Sequence, residues 1–285
     1  MVSRRELFLR VKDILRAAGI NGFGFDAKCI MEEAFGSPLP VILMDPDAES
    51  DSSAAKRSIE MSELRAKGIP LQYIIGQWEF FGYPFKIGEG VLIPRPDTET
   101  LVEQILDICC ENKLSSPKIA DLCSGSGCIA VTLKKELPQA QVFAVELSEI
   151  PCGYIRENMK LNNADIQLVR GDVLSPETAG MIGGLDIIVS NPPYLTAQDM
   201  TELQTEVAHE PELALFGGND GLDFYRQITP LWKNSLKKGG FIAYEFGLDQ
   251  HDRVREILEN NEFENIKFRR DSAGIIRTAA AQKRR

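Results

Sequence analysis

The chain has 285 residues, of which 44% are hydrophobic and 26% charged, enough apolar material for a substantial core and about two domains. Its 32 basic and 42 acidic side chains give a formal charge of −10, which disfavours stable binding to nucleic acid through bulk charge. No apolar run reaches the roughly 18 residues a membrane span needs, and Met1–Leu9 lacks a signal-peptide core, so a cytoplasmic protein without membrane partners is expected.

Leu7, Phe8, Val11, Ile14, Leu15 and Ala18 recur at helical spacing, and Gly19 stops the run. Asp26 is expected to cap a second helix with Ile30, Met31, Ala34 and Phe35 on one face, closed by Gly36 and Pro38. A third helix begins at Asp51-Ser52-Ser53 and stops at Gly68-Ile69-Pro70. Residues 1–75 therefore read as a small helical bundle without a catalytic constellation, a module that positions a partner. In residues 76–93, Trp78, Phe80, Phe81, Tyr83 and Phe85 crowd around Gly82 and Pro84, which reads as a β-hairpin linker. Only Lys86 interleaves these aromatics, so they read as packing rather than as a base-stacking platform.

Residues 94–285 read as a third segment with an α/β rhythm. Asp97 and Thr98 are expected to cap a helix carrying Leu101, Val102, Ile105 and Leu106. Strand-like runs follow at Lys118–Leu122, Gln141–Leu147, Ile166–Arg170, Leu185–Ser190 and Phe241–Phe246, most of them separated by helical patterns. Asn265–Arg270 and Ile275–Ala280 read as a closing pair, antiparallel because the connection is too short for a crossover. Lys283-Arg284-Arg285 reads as a solvated end.

Cysteine and histidine usage points away from several chemistries. The six cysteines are Cys29, Cys109, Cys110, Cys123, Cys128 and Cys152, and they form no C-x-x-C pair. His209 and His251 sit in no ligand pattern, so no metal is expected. No G-x-S-x-G elbow supports a serine hydrolase.

The first strand of the α/β segment ends in Asp121-Leu122-Cys123-Ser124-Gly125-Ser126-Gly127, and a helix follows at once. Glycine lets the backbone turn tightly and a ligand approach closely. The third glycine of a dinucleotide fingerprint is missing, which argues against NAD. The next strand ends at Glu146, 21 residues after Gly125, close to the spacing at which an acid takes ribose hydroxyls. A third strand leads into Gly171-Asp172-Val173. Asp121, Glu146 and Asp172 thus fall at strand carboxyl ends, and three acids suit a cationic nucleoside such as S-adenosylmethionine. Each acid could instead cap its following helix.

The fourth strand runs into Asn191-Pro192-Pro193-Tyr194. Two prolines stiffen the loop and remove two N–H donors, leaving carbonyl oxygens and the Asn191 side chain as acceptors. Tyr194 can close one side as a flat wall. Such a rim suits a planar group with an –NH2, either a carboxamide or an aminopurine.

With this Asn-Pro-Pro-Tyr signature go Pro70-Leu71-Gln72-Tyr73-Ile74-Ile75-Gly76, Val91-Leu92-Ile93-Pro94-Arg95-Pro96-Asp97-Thr98-Glu99, and Glu210-Pro211 through Gly218 to Asp220-Gly221-Leu222. Together they resemble the peptide-chain release factor glutamine methyltransferases (the PrmC/HemK family). The resemblance implies a seven-stranded, Rossmann-like class I methyltransferase sheet, in strand order 3-2-1-4-5-7-6, behind an N-terminal helical substrate-recognition domain. It implies methyl transfer from S-adenosylmethionine to the side-chain nitrogen of the glutamine in the Gly-Gly-Gln motif of class I release factors, its protein partners. It implies that Asp121, Cys123, Ser124, Gly125, Ser126, Gly127, Glu146, Asp172, Val173 and Asn191 hold the cofactor. Asn191, Pro192, Pro193 and Tyr194 then carry catalysis and, with Arg95, substrate binding. The Asn191 oxygen and Pro192 carbonyl would accept the two N–H bonds, with Tyr194 on the carboxamide plane. Cys123-Ser124 departs from the Gly-Thr of many members, and Val173 stands where some relatives place an aromatic. A monomer is expected. The alternatives are a ribosomal-protein glutamine, adenine N6 in DNA, or a non-catalytic binding protein. Gly217, Gly218 and Gly221 suit either a movable lid or a static turn.

Overall fold

A computed structural model describes residues 2–284. They separate into two units: residues up to Gln77 together with Gln204–His209, and the remainder.

In the first unit, α1 (Arg4–Ala17), α2 (Phe23–Phe35) and α4 (Ser52–Ala66) pack on one another, with the short α3 (Leu39–Ile42) and α5 (Leu71–Ile75) beside them. Ser3 and Glu6 cap α1 reciprocally: Ser3 Oγ accepts from Glu6 N–H at 3.3 Å, and Glu6 Oε2 accepts from Ser3 N–H at 2.9 Å. Leu7, Val11 and Leu15 then form its buried face. Asp51 caps α4 by accepting from Ala54 N–H at 2.8 Å. Asp26 does not cap α2. Gly22 holds that place at φ 73°, a left-handed turn that a glycine makes without strain. Asp26 lies inside the helix instead, where Arg65 Nε donates to its Oδ2 at 2.7 Å, both side chains buried. Arg65 also donates to Glu206. A buried guanidinium needs carboxylates on both sides, and this need ties Gln204–His209 into the helical unit.

The second unit opens with the hairpin β1 (Gln77–Phe80) and β2 (Tyr83–Lys86), where Phe80 and Phe85 are fully buried and meet edge to face at 6.1 Å. Then come α6 (Pro96–Glu111), β3 (Lys118–Leu122), α7 (Cys128–Glu136), β4 (Gln141–Glu146), α8 (Glu149–Asn162), β5 (Gln167–Arg170), α9 (Pro176–Met181) and β6 (Leu185–Ser190). The chain closes with α10 (Asp223–Lys233), β7 (Leu236–Glu245), α11 (His251–Asn260), β8 (Phe263–Arg270) and β9 (Ile276–Lys283). Arg95 takes the cap position of α6, so Asp97 and Thr98 fall in its first turn.

The seven-stranded sheet runs β5-β4-β3-β6-β7-β9-β8, the order the resemblance implies. β5, β4, β3, β6 and β7 are parallel and β9 is antiparallel to both neighbours. Buried Ile119, Val142, Ile187 and Ile242 show why these strands read as apolar runs: helices cover the sheet. Two boundaries differ from expectation. β7 starts at Leu236 because Leu236 pairs with Leu185, and a bulge then absorbs Gly239 and Gly240 before Phe241 meets Ile187. β9 runs through Lys283, whose Nζ donates to the carbonyls of Lys233 and Leu236 at 2.7 and 2.9 Å. Lys283 is thus an anchor rather than a frayed end, and Arg285 lies outside the described residues.

Candidate active site

From β3 the chain proceeds to β4 and β5 on one side, and from β6 to β7 on the other. The switch point between β3 and β6 is where open α/β sheets leave a crevice beyond the strand carboxyl ends. The Asp121–Gly127 loop leaves β3 there and Asn191–Tyr194 leaves β6. Ser190 Oγ donates to Leu122 O at 2.7 Å and joins the two exits. A cavity of about 250 Å³ opens between them, lined by Arg95, Thr98, Gly125, Glu146, Val173 and Asn191 among others.

The glycine loop turns through left-handed conformations at Gly125 (φ 56°) and Gly127 (φ 78°). Cys123 adopts φ 60° as well, a left-handed conformation uncommon for a residue with a side chain. Burial pushes its thiol well up, and that of Cys128 up to about 12, so neither is a ready nucleophile. Ser124, Ser126 and Cys123 line the cavity. Gly127 does not: a Cβ there would stand 3.2 Å from Ile155, so this glycine serves the packing of α7 on α8.

The three strand-end acids take different parts. Asp121 is 0% exposed and lies beneath the loop, outside the cavity. Its Oδ2 accepts from Ser124 Oγ and from Ala130 N–H, while Oδ1 is buried without a partner. Burial pushes its carboxyl up to about 7, against the lowering effect of those two bonds. The expected direct cofactor ligand is thus a brace, and its bond to Ala130 is the helix-capping alternative realised. Glu146 does line the cavity, with Oε2 accepting from Gly125 N–H and Oε1 from Ser148 N–H, each at 2.9 Å. Burial raises its pKa and those amide bonds oppose the shift. Asp172 is exposed at the rim and accepts from Leu174 N–H at 2.8 Å. Val173 supplies an aliphatic wall, held by Trp232 Nε1 donating to its carbonyl at 2.7 Å.

Of the four-residue signature, Asn191 and Pro193 line the cavity, while Pro192 and Tyr194 do not. The Tyr194 ring packs against the core, and a Cβ on Gly247 would meet it at 3.1 Å, so the expected wall position is not the one it occupies. Its carbonyl accepts from Gln250 Nε2 at 2.9 Å. The following residues are pinned too: Leu195 N–H donates to Leu215 O and Gly217 N–H to Leu195 O, at 2.8 and 2.9 Å. A Cβ on Gly217 would lie 2.6 Å from Pro193 O, and one on Gly221 2.2 Å from Tyr194 O. The glycines therefore permit close backbone packing, the static turn of the two readings.

Three contributors were not singled out as site residues from the sequence. Thr98 Oγ1 accepts from Asn191 Nδ2 at 3.3 Å. Glu210 is buried, accepts from Ile93 N–H at 3.0 Å and pairs with Arg95. Glu245 ends β7 beside Asn191, and burial pushes it up to about 7. The signal for Glu245 is an acid directly after the apolar run Phe241–Tyr244; nothing local marks the other two.

The sheet order and the crevice at its switch point define a class I methyltransferase. A methyltransferase from Pyrococcus furiosus is 20% identical with a TM-score of 0.52, covering 72% of this chain and 91% of that one. The hMettl16 catalytic domain is 16% identical with a TM-score of 0.55, covering 80% and 81%. Both share the fold. Residues 6–76 match the PrmC N-terminal domain family and residues 97–215 the Methyltransferase small domain family. The release factor glutamine methyltransferase of Clostridium acetobutylicum is 34% identical over 281 residues, 97% of each chain. That of Thermodesulfovibrio yellowstonii is 39% identical over 244 residues, covering 84% of this chain and 85% of its own. This chain belongs to the release factor glutamine methyltransferase family, whose methyl donor is S-adenosylmethionine.

Proposed function

We propose that this protein methylates the side-chain nitrogen of the glutamine in the Gly-Gly-Gln motif of class I peptide-chain release factors. The observation that carries the reading is the orientation of Asn191. Its NH2 is spent on Thr98, so the amide oxygen is the atom left to accept from a substrate at the cavity.

The cavity suits a cationic nucleoside. Glu146 and Asp172 line it, and the one basic side chain that lines it among the described residues, Arg95, is already paired with Glu210. Glu146 retains lone pairs that would take ribose hydroxyls, Asp172 and Val173 would hold the base, and Ser124–Ser126 would supply a backbone free of bulk. Bound there, S-adenosylmethionine supplies an electrophilic methyl group on its sulfonium.

An amide nitrogen is a poor nucleophile because its lone pair is delocalised. The Asn191 oxygen accepts one of its N–H bonds and helps direct the remaining electron density at the methyl carbon, whereas Pro192, expected to supply the second acceptor, stands outside the cavity lining. Pro193 walls the carboxamide while Tyr194 holds the loop in place. Placement and exclusion of water supply most of the rate. The helical residues 1–75 recognise the release factor, 76–93 link, and 94–285 catalyse. No helix among the described residues is long and apolar enough to cross a membrane. The reading is completed by a monomer in the cytoplasm that binds no nucleic acid stably.

The test is one assay with labelled S-adenosylmethionine and, separately, a release factor, its variant lacking the Gly-Gly-Gln glutamine, a ribosomal protein and plasmid DNA. Label is expected on the intact release factor alone. Label on the ribosomal protein or DNA instead overturns the substrate assignment.

A further inference from the structure

We propose that Glu245 is a positioning residue, which through Thr98 and Asn191 fixes the rotation of the Asn191 carboxamide so that its oxygen faces the cavity. This rests on the reading of Asn191 as the acceptor of the substrate's N–H.

The placement follows from the sheet. Ser190 of β6 is in register with Tyr244 of β7, so the next residues, Asn191 and Glu245, leave the two strands side by side. Glu245 is 2% exposed, and its Oε2 has no hydrogen-bond partner. A carboxyl in that position is costly, and an apolar side chain would serve mere packing better. Thr98 and Asn191 are the polar side chains that hydrogen-bond to the carboxyl. Thr98 Oγ1 accepts from Asn191 Nδ2, which leaves its own O–H to donate to Glu245. The carboxylate therefore orders the chain from Asn191 N–H to Thr98 to Glu245. Turning the Asn191 amide over would set its oxygen against two acceptors. That repulsion keeps the oxygen on the cavity side without any contact between Glu245 and the substrate.

The device works only while the carboxyl accepts. Protonated, Glu245 can donate, and the reversed amide becomes tolerable. Burial raises its pKa to about 7, the Thr98 bond opposes the rise, and Asp97 raises it further while Arg277 and, least, the Asn191 bond lower it. Tyr194, Tyr225 and Cys128 also face Glu245, and the Tyr225 hydroxyl donates to its main-chain carbonyl at 2.8 Å. Burial holds Tyr194, Tyr225 and Cys128 away from ionisation, and Asp97 shares its partner Arg277 with Asp271.

The experiment measures turnover against pH on an intact release factor, with Glu245→Gln, Thr98→Val and Thr98→Ser beside the wild type. Wild-type kcat is expected to fall below about pH 7. Glu245→Gln is expected to lower kcat about tenfold at high pH and to flatten the acid limb, with KM and cofactor Kd within about threefold. Thr98→Val should do the same, and Thr98→Ser should recover to within about threefold of wild type. A Glu245→Gln enzyme with wild-type kcat and an unchanged acid limb overturns the proposal. If that variant does not fold, equal turnover by Thr98→Val and Thr98→Ser overturns it. A wild type that methylates no release factor at any pH instead removes the functional reading itself.

Discussion

Glu210 buries its carboxyl, 1% exposed, against the guanidinium of Arg95, which is 36% exposed at the cavity rim. The same carboxyl accepts from Ile93 N–H, so one acid fastens the 93–95 segment from 117 residues away. Removing Arg95 leaves that charge buried with one neutral donor. Arg95→Ala is expected to cost about 2 kcal/mol of stability, discounted for the exposed guanidinium. The check is a lower urea midpoint at unchanged slope. A midpoint equal to wild type would mean the pair is idle.

Gly217 packs directly against the main chain of the signature loop. An added Cβ would overlap Pro193 O and Tyr194 Cα, both main-chain atoms that cannot swing aside. Gly217→Ala is therefore expected to move the loop, costing about 1–3 kcal/mol of stability and roughly 100-fold in turnover. Single-turnover kinetics on the folded variant read this directly. Unchanged turnover would show that the loop tolerates displacement.

Asn191 and Glu146 should separate catalysis from cofactor binding. Asn191→Ala is expected to cut turnover by about 100-fold or more while calorimetric affinity for S-adenosylmethionine stays within about threefold. Glu146→Ala should weaken that affinity by roughly 1–3 kcal/mol. Near-normal turnover by the first variant, or unchanged affinity in the second, removes the corresponding role.

Asp121 gives a pH dependence of known sign. Its folded pKa of about 7 lies above the roughly 4 of an unfolded aspartate. Between those values the native state keeps a proton that the unfolded state has lost, so this contribution to stability falls as pH rises. Asp121→Asn cannot titrate and lacks the slope. Relative to wild type, the variant should gain roughly 3–4 kcal/mol between pH 4 and pH 8. Urea unfolding of both proteins across that range is the measurement, and a constant difference would contradict the buried, protonated state.

The order of elements, the two loops at the switch point and the antiparallel closing pair were legible in the linear chain, because apolar period, glycine and proline act over a few residues. So were the residues that line the cavity on both loops, which follow their strand ends whatever the rest of the fold does. What Asp121, Tyr194 and Gly217 do once there was decided only in three dimensions. The burial of Asp121 depends on Ser124 and Ala130 closing over it, and the position of Tyr194 on the core formed with Gly247 and Gln250. Glu210 was invisible as a site residue for the same reason, and Glu245 carried only the signal of its place at a strand end. A buried carboxyl finds its donors wherever packing delivers them, and the partners Ile93, Thr98 and Asn191 are brought near by the sheet and not by the sequence around either acid.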